Sequence, residues 1–249
     1  MTLFWHQLRA EQLTFWRSRE AAIFVFLFPP LLFVLLASVF GDGTEEGVPV
    51  ASYLVAGLIG YAVANTALGG LAIMLVFRRE AGNLKRLRST PLPASLYLGT
   101  VLISSLVIVA LQSATVAALG VGAYDADVPE RWLGFLFALA LGAVSFAGLG
   151  LAAAALVRSA DAVAAVVNVV VLPMSFLSGA FGTADDLPRL LQLVADVLPL
   201  KYLIELVLAT YVDGEPVGDH LTAVAVLVAW GAAGYVVARA RFGWEPRER

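Results

Sequence analysis

Cysteine is absent from the 249 residues and histidine occurs only twice. The chain therefore has no disulfide framework, no thiolate nucleophile and no His/Cys constellation for zinc or redox chemistry. Charge is scarce as well: 14% of residues are Asp, Glu, Lys or Arg, against about 25% in an ordinary soluble domain. The two lysines, Lys85 and Lys201, do not follow a glycine, so the Gly-rich loop that cradles nucleotide phosphates and ends in Lys-Ser/Thr is missing. A soluble catalytic domain needs on the order of 100 residues, but the longest polar stretch is under 40.

Apolar residues make up 60% of the chain, more than one globular core can hide. A bilayer-spanning helix uses about 20 of them, and runs of that length cover 21–40, 50–77, 96–124, 132–157, 162–181 and 221–238. An all-α polytopic membrane protein with six spans is expected. A cleaved leader is the competing reading of the first run, but that run exceeds a leader core and no Ala-x-Ala site follows Phe40. A seventh run, 187–212, contains Arg189, Asp196, Lys201 and Glu205 and is split by Pro199. Each charge at mid-bilayer depth costs about 2.5–3.5 kcal/mol, and each half is too short to cross. Two short helices dipping in from one surface are expected instead. Leu187, Leu190, Leu191, Val194 and Leu198 form the apolar face of the first.

Six spans put thirteen of the sixteen Lys and Arg on the side of both termini and three on the other. By the positive-inside rule both termini are cytoplasmic. Acidic residues run the opposite way, thirteen outside and six inside, so the net charge of −3 conceals a strong asymmetry. The chain reads as one membrane domain over 1–249, with three subregions: an interfacial helix at 1–20, a cytoplasmic loop at 78–94 and an outer re-entrant region at 182–220. In the first, Phe4, Trp5, Leu8, Phe15 and Trp16 share about a third of the helical circumference, interrupted by Gln12 and Arg19.

The segment Arg78-Arg79-Glu80-Ala81-Gly82-Asn83-Leu84-Lys85-Arg86-Leu87-Arg88-Ser89-Thr90-Pro91-Leu92 carries the most information. A charged triplet closes the second span, Gly82 permits a sharp turn, a basic helical turn follows, and Thr-Pro stops it. A basic loop binding anionic headgroups is the simplest account. The segment also resembles the Glu-x-Gly-Thr-Leu-x-x-Leu-x-x-Thr-Pro stretch of ATP-binding-cassette type-2 permeases, the six-span subunits of drug, lipid and polysaccharide exporters. Residues 173–181, Leu187-Pro188 and 198–203 are similar to the end of the fifth span and the re-entrant helices of that family. Asn83 stands where the family usually has Thr, and Arg189 where an aromatic often follows Leu-Pro. The drug-exporter branch typified by daunorubicin-type permeases is the most similar.

This resemblance implies an exporter permease that is not itself an enzyme. It has no cofactor of its own; ATP and Mg sit on a separate ATP-binding subunit present in two copies. The coupling residues would be Arg78, Arg79, Glu80, Gly82, Leu84, Lys85, Arg86 and Leu87, and Phe176, Ser178 and Phe181 would form an outer gate. A homodimer, or a dimer with a closely related permease, would enclose the path of an amphiphilic cargo in the lipid bilayer of the cell membrane; no nucleic-acid partner is expected. Polar residues within the spans are the path candidates: Asn65, Thr66, Asn168 and Ser175, with Leu172 beside the last two on one face. The alternative is that they hydrogen-bond between helices at about 1 kcal/mol or less each. A secondary transporter would need a buried ionisable relay or matched broken helices, and a serine-type intramembrane enzyme would need a His near a Ser. His6 precedes the first span and His220 lies at the outer edge of the sixth, so neither arrangement is evident.

Overall fold

In the computed structural model, which describes residues 2–40, 43–45, 48–90, 92–182 and 188–243, six helices are long and apolar enough to cross a membrane. The helix α1 (Thr2–Arg17) precedes the first span, α2 (Arg19–Phe40). The second span is composite, with α3 (Val50–Val63), a π-helical segment (Ala64–Gly70) and α4 (Leu71–Glu80). A short helix α5 (Asn83–Arg88) leads to the spans α6 (Ala94–Tyr124), α7 (Trp132–Leu156) and α8 (Ala160–Leu177). Two short helices follow, α9 (Arg189–Ala195) and α10 (Pro199–Tyr211), and a 3-10 turn (Val217–His220) opens the last span, α11 (Leu221–Arg241). The loop before α3 pairs Thr44 with Pro49 and Glu45 with Val48.

Two boundaries differ from expectation for identifiable reasons. The fifth apolar run continues to Phe181, but its helix stops at Leu177. There Gly179 takes φ 76° and the N–H groups of Ser178 and Ala180 donate back to Met174 and Ser175, the turn that commonly ends a helix. The first re-entrant helix begins at Arg189, after Pro188, and its apolar residues Leu190, Leu191 and Val194 are exposed, while Ala195 is buried. Four expected features lie outside the described residues: Pro91, Leu187, and the tail residues Arg247 and Arg249.

The second and fourth spans are mostly buried, whereas a third or fewer of the residues in the other four are buried. Lipid tails are as apolar as Leu, so close van der Waals packing rather than a hydrophobic drive holds such helices together. At the α7–α11 crossing a Cβ on Gly148 would lie 2.5 Å from the Gly231 carbonyl oxygen, and one on Gly234 would lie 2.5 Å from the Gly148 carbonyl carbon. Only glycine allows this approach. Nearby, the Ser145 hydroxyl donates to the Leu227 carbonyl at 2.6 Å.

Hydrogen bonds between helix ends define two poles. At one, α1, the ends of α4 and α7 and the starts of α6 and α8 meet. The opposite pole holds the starts of α3, α7 and α11 and the end of α10. The first pole is rich in arginine and the second in carboxylates.

Candidate functional site

The charged triplet that closes the second span binds four helices at the basic pole. Arg78 turns toward α1: its guanidinium makes a two-pronged pair with Glu11, at 2.9 and 2.7 Å, and donates to the Tyr97 hydroxyl of α6 at 2.8 Å. Both charges are largely buried, at 16% and 5% side-chain exposure, and a buried charge needs such a partner. Arg79 turns the other way and is 1% exposed. It donates to the carbonyls of Ala154, Val157 and Arg158 at 2.7, 2.6 and 3.2 Å. These carbonyls close α7, where the last turn has no intrahelical donors and carries partial negative charge. Next to it, Glu80 accepts from the Ala160 N–H at 3.1 Å, the start of α8, where partial positive charge favours a carboxylate. Ser159 caps the same end through the Ala162 N–H.

Adjacent side chains thus match opposite helix ends. Arg79 holds the C-terminus of α7, Glu80 holds the N-terminus of α8, and the 157–159 link lies between them. Arg78, although two residues from Glu80, is committed to Glu11 and Tyr97. Gly82 then reverses the chain with φ 71°, a conformation that favours glycine, and its carbonyl accepts from Arg86. In α5, Leu84 is fully buried and Leu87 half-buried, whereas Lys85 and Arg86 are exposed. This short amphipathic helix presents a basic face outward and is joined to the triplet through two residues, Ala81 and Gly82.

The partners Glu11, Gln12 and Tyr97 did not stand out in the sequence. Gln12, which reads as an interruption of an apolar face, donates to the Ser104 hydroxyl at 2.9 Å and so docks α1 on α6. Glu11 had a usable signal. It lies seven residues after Phe4, three after Leu8 and four before Phe15, in the middle of an apolar face, and a carboxylate there implies a buried cation. The structure splits that face: Phe4, Leu8 and Phe15 are half-buried toward the bundle, and Trp5 and Trp16 are exposed. The backbone carbonyls that Arg79 binds leave no trace in a sequence.

The polar residues within the spans fall into separate environments. Thr66 lies in the π-helical segment, is buried, and donates to Gln112 at 3.0 Å; Gln112 in turn donates to the Val25 carbonyl at 2.7 Å. This links the first three spans within one subunit. Asn65, beside it, is half-buried. On α8, Asn168 and Leu172 are exposed, whereas Ser175 is fully buried and donates to the Val171 carbonyl at 2.7 Å. Helical spacing puts the three on one face, yet Ser175 near the end of α8 is covered while Asn168 and Leu172 are not.

At the carboxylate-rich pole, Phe176 and Phe181 meet edge to face at 4.9 Å and Phe181 contacts Tyr61 at 5.3 Å. Ser178 lies beneath them and is 5% exposed. It lines a cavity of about 400 Å³ together with Tyr53, Leu177, Ile204 and Leu208 and with Asp196, Lys201, Glu205, Asp213 and His220. His220 sits between Glu205 at 3.1 Å and Glu215 at 2.6 Å, tying α10 to the start of α11. Lys201 pairs with Asp196. Among the described residues no group of three or more His, Cys, Asp or Glu is arranged to hold a metal ion.

The family described as ABC-2 type transporter matches residues 2–212. The chain is 31% identical over 202 residues to nodulation protein J of Rhizobium leguminosarum bv. viciae, covering 80% of this chain and 76% of that protein. It is 32% identical over 193 residues to nodulation protein J of Rhizobium leguminosarum bv. trifolii (75% and 72%) and 30% identical over 188 residues to that of Rhizobium meliloti strain 1021 (73% and 70%).

Proposed function

The chain belongs to the ABC-2 type transporter family, and from that membership we propose that it is the membrane subunit of an exporter that moves an amphiphilic or hydrophobic cargo outward. In this reading a separate ATP-binding subunit, in two copies, drives a pair of permeases, each this chain or a close relative. The basic pole faces the cytoplasm, where the inner excess of arginine belongs. ATP and Mg²⁺ sit on the partner, since this chain has no glycine-rich loop ahead of either lysine to receive phosphates.

One observation carries the coupling role: the triplet next to α5 holds α1, α6, α7 and α8 at once. A displacement of α5 by a docked ATPase therefore reaches four helix ends through side chains of adjacent residues, and the bundle shifts as a body. Lys85 and Arg86 offer the docking charge, and Leu84 and Leu87 anchor the helix. Asn65, Asn168 and Leu172 are assigned to the wall of the path between two permeases, with Phe176 and Phe181 at its outer end. Thr66 and Ser175 contribute to helix packing.

The test is reconstitution with a candidate ATP-binding partner subunit, followed by ATP-dependent export of cargos of graded polarity. Glu80→Ala is expected to keep ATP hydrolysis and membrane insertion but to lower export per ATP at least tenfold. Wild-type export by Glu80→Ala would remove the coupling role. Absence of ATP-dependent export of every cargo by the wild-type pair would reject the exporter reading.

A further inference from the structure

The first span is interrupted chemically without being interrupted in length. Pro29 and Pro30 lie inside α2, and a proline has no N–H to give the carbonyl four residues earlier. Pro29 therefore removes the helical donor of the Val25 carbonyl, and Pro30 that of Phe26. Within a membrane no bulk water replaces such a donor, so a freed backbone group turns to a neighbouring helix. For Val25 the neighbour is α6, where Gln112 Nε2 donates to its carbonyl at 2.7 Å. Gln112 is 1% exposed, and its amide supplies the donor that Pro29 lacks.

The other end of the same amide is held separately. Its Oε1 accepts from the Thr66 hydroxyl at 3.0 Å, and Thr66 belongs to the π-helical segment of the second span. That segment is gripped by two further spans: a Cβ on Gly150 of α7 would lie 2.7 Å from the Leu68 carbonyl oxygen, and one on Gly69 would lie 2.8 Å from a Val167 methyl of α8. One buried amide thus bridges a proline gap in an exposed span to an irregular turn in a buried one.

The packing of α2 changes at the same point. Its buried residues, Pro29, Phe33 and Ala37, all lie from the first proline onward, and Phe33 meets Tyr124 of α6 edge to face at 5.1 Å. None of residues 19–28 is buried. That half stacks Phe26 on Trp16 of α1 at 5.2 Å and touches Tyr61 through Phe28 at 6.2 Å. We infer that Pro29 is a hinge in the first span and that Gln112, held by Thr66, is its latch. With the bond to Val25 made, residues 19–28 stay in line with the bundle; with it broken they follow α1 about Pro29 while the second half stays packed on α6. Gln112 is thus a positioning residue. That the swing serves transport rests on the exporter reading, in which Arg78 ties α1 to the coupling triplet; the latch itself does not.

The test uses the full chain in phosphatidylcholine nanodiscs without ATPase, cargo or ATP. The chain has no native cysteine, so spin labels are placed through Ile23→Cys in the first half of α2 and Leu156→Cys at the end of α7, both exposed. Labelled chain is diluted in excess unlabelled chain, and the distance distribution between the labels is measured by pulsed electron resonance. A single narrow distance is expected in the otherwise wild-type chain. Gln112→Leu should widen it about twofold or split it, and Thr66→Val should widen it less. Adding Pro29→Ala to Gln112→Leu returns an N–H to face Val25 and should restore the narrow distance, an effect that a loss of packing at Gln112 would not show. Thr115→Val, an exposed hydroxyl on the same helix bonded to its own Leu111 carbonyl, should leave the distance as it was. If Gln112→Leu does not fold, its rescue by Pro29→Ala supports the latch and the lack of rescue overturns it. A broad wild-type distance, a narrow one in Gln112→Leu, a broad one after Pro29→Ala is added, or equal widening by Thr115→Val would overturn the latch; an unchanged width in Thr66→Val would overturn its link to the second span. Failure here leaves ATP-driven export untouched, and failure of export leaves this measurement standing.

Discussion

At the residue scale, the basic pole concentrates its energetics in a few charged side chains. The Arg78–Glu11 pair is 16% and 5% exposed, and removing one partner of a buried pair typically costs about 3–5 kcal/mol because the other charge is stranded. Arg78→Ala and Glu11→Ala are each expected to lower the melting temperature of the purified protein markedly. The double variant should melt above the sum of the two losses, since it strands neither charge. Strict additivity in that cycle would show that the two side chains do not interact. Arg79 differs in kind, because it serves carbonyls rather than a carboxylate. Its planar guanidinium reaches Ala154 and Val157 together, a reach that the single ammonium of a lysine does not reproduce.

At the element scale, the composite second span joins the two poles. Its π-helical segment, Ala64–Gly70, carries Thr66 into contact with α6, and π-helical turns within helices recur at functional positions. The α7–α11 crossing sets how closely the fourth and sixth spans approach. Gly148→Ala is expected to destabilise the protein by about 1–3 kcal/mol, the usual range for overpacking, because the new methyl would meet backbone atoms of α11. Gly99→Ala in α6 is the control, since a Cβ there meets nothing within 4 Å and alanine favours a helix over glycine by about 1 kcal/mol. Melting curves should fall for the first and hold or rise for the second. Equal effects would mean that the crossing is looser than its geometry.

At the scale of the whole molecule, the charge asymmetry and the alternation of spans make orientation measurable. The chain has no native cysteine, so single cysteines can be labelled without background. Ser89→Cys, beside α5, is expected to react with an impermeant thiol reagent only after the cells are permeabilised, and Val128→Cys, in the loop before α7, in intact cells. Both positions are exposed. The reverse pattern would invert the assignment of the two poles and, with it, the side on which an ATPase docks.

The sequence by itself determined the number of spans, the charge difference between the poles, the N-terminal helix α1, the turn at Gly82 and the break at Pro199. Each of these depends on the local run of residue types: apolar length against bilayer thickness, a flexible glycine, a proline that cannot continue a helix. It also isolated the 78–92 segment as the chemically loaded one. It could not decide which way Arg78, Arg79 and Glu80 turn, because their partners are 19 to 80 positions away in the chain and most are backbone groups of helix ends. Nor could it decide that Asn168 is bare and Ser175 covered on one helical face, or that Ser178, Asp213 and His220 share a cavity. Those outcomes depend on how helices distant in sequence cover one another, and only their tertiary packing fixes them.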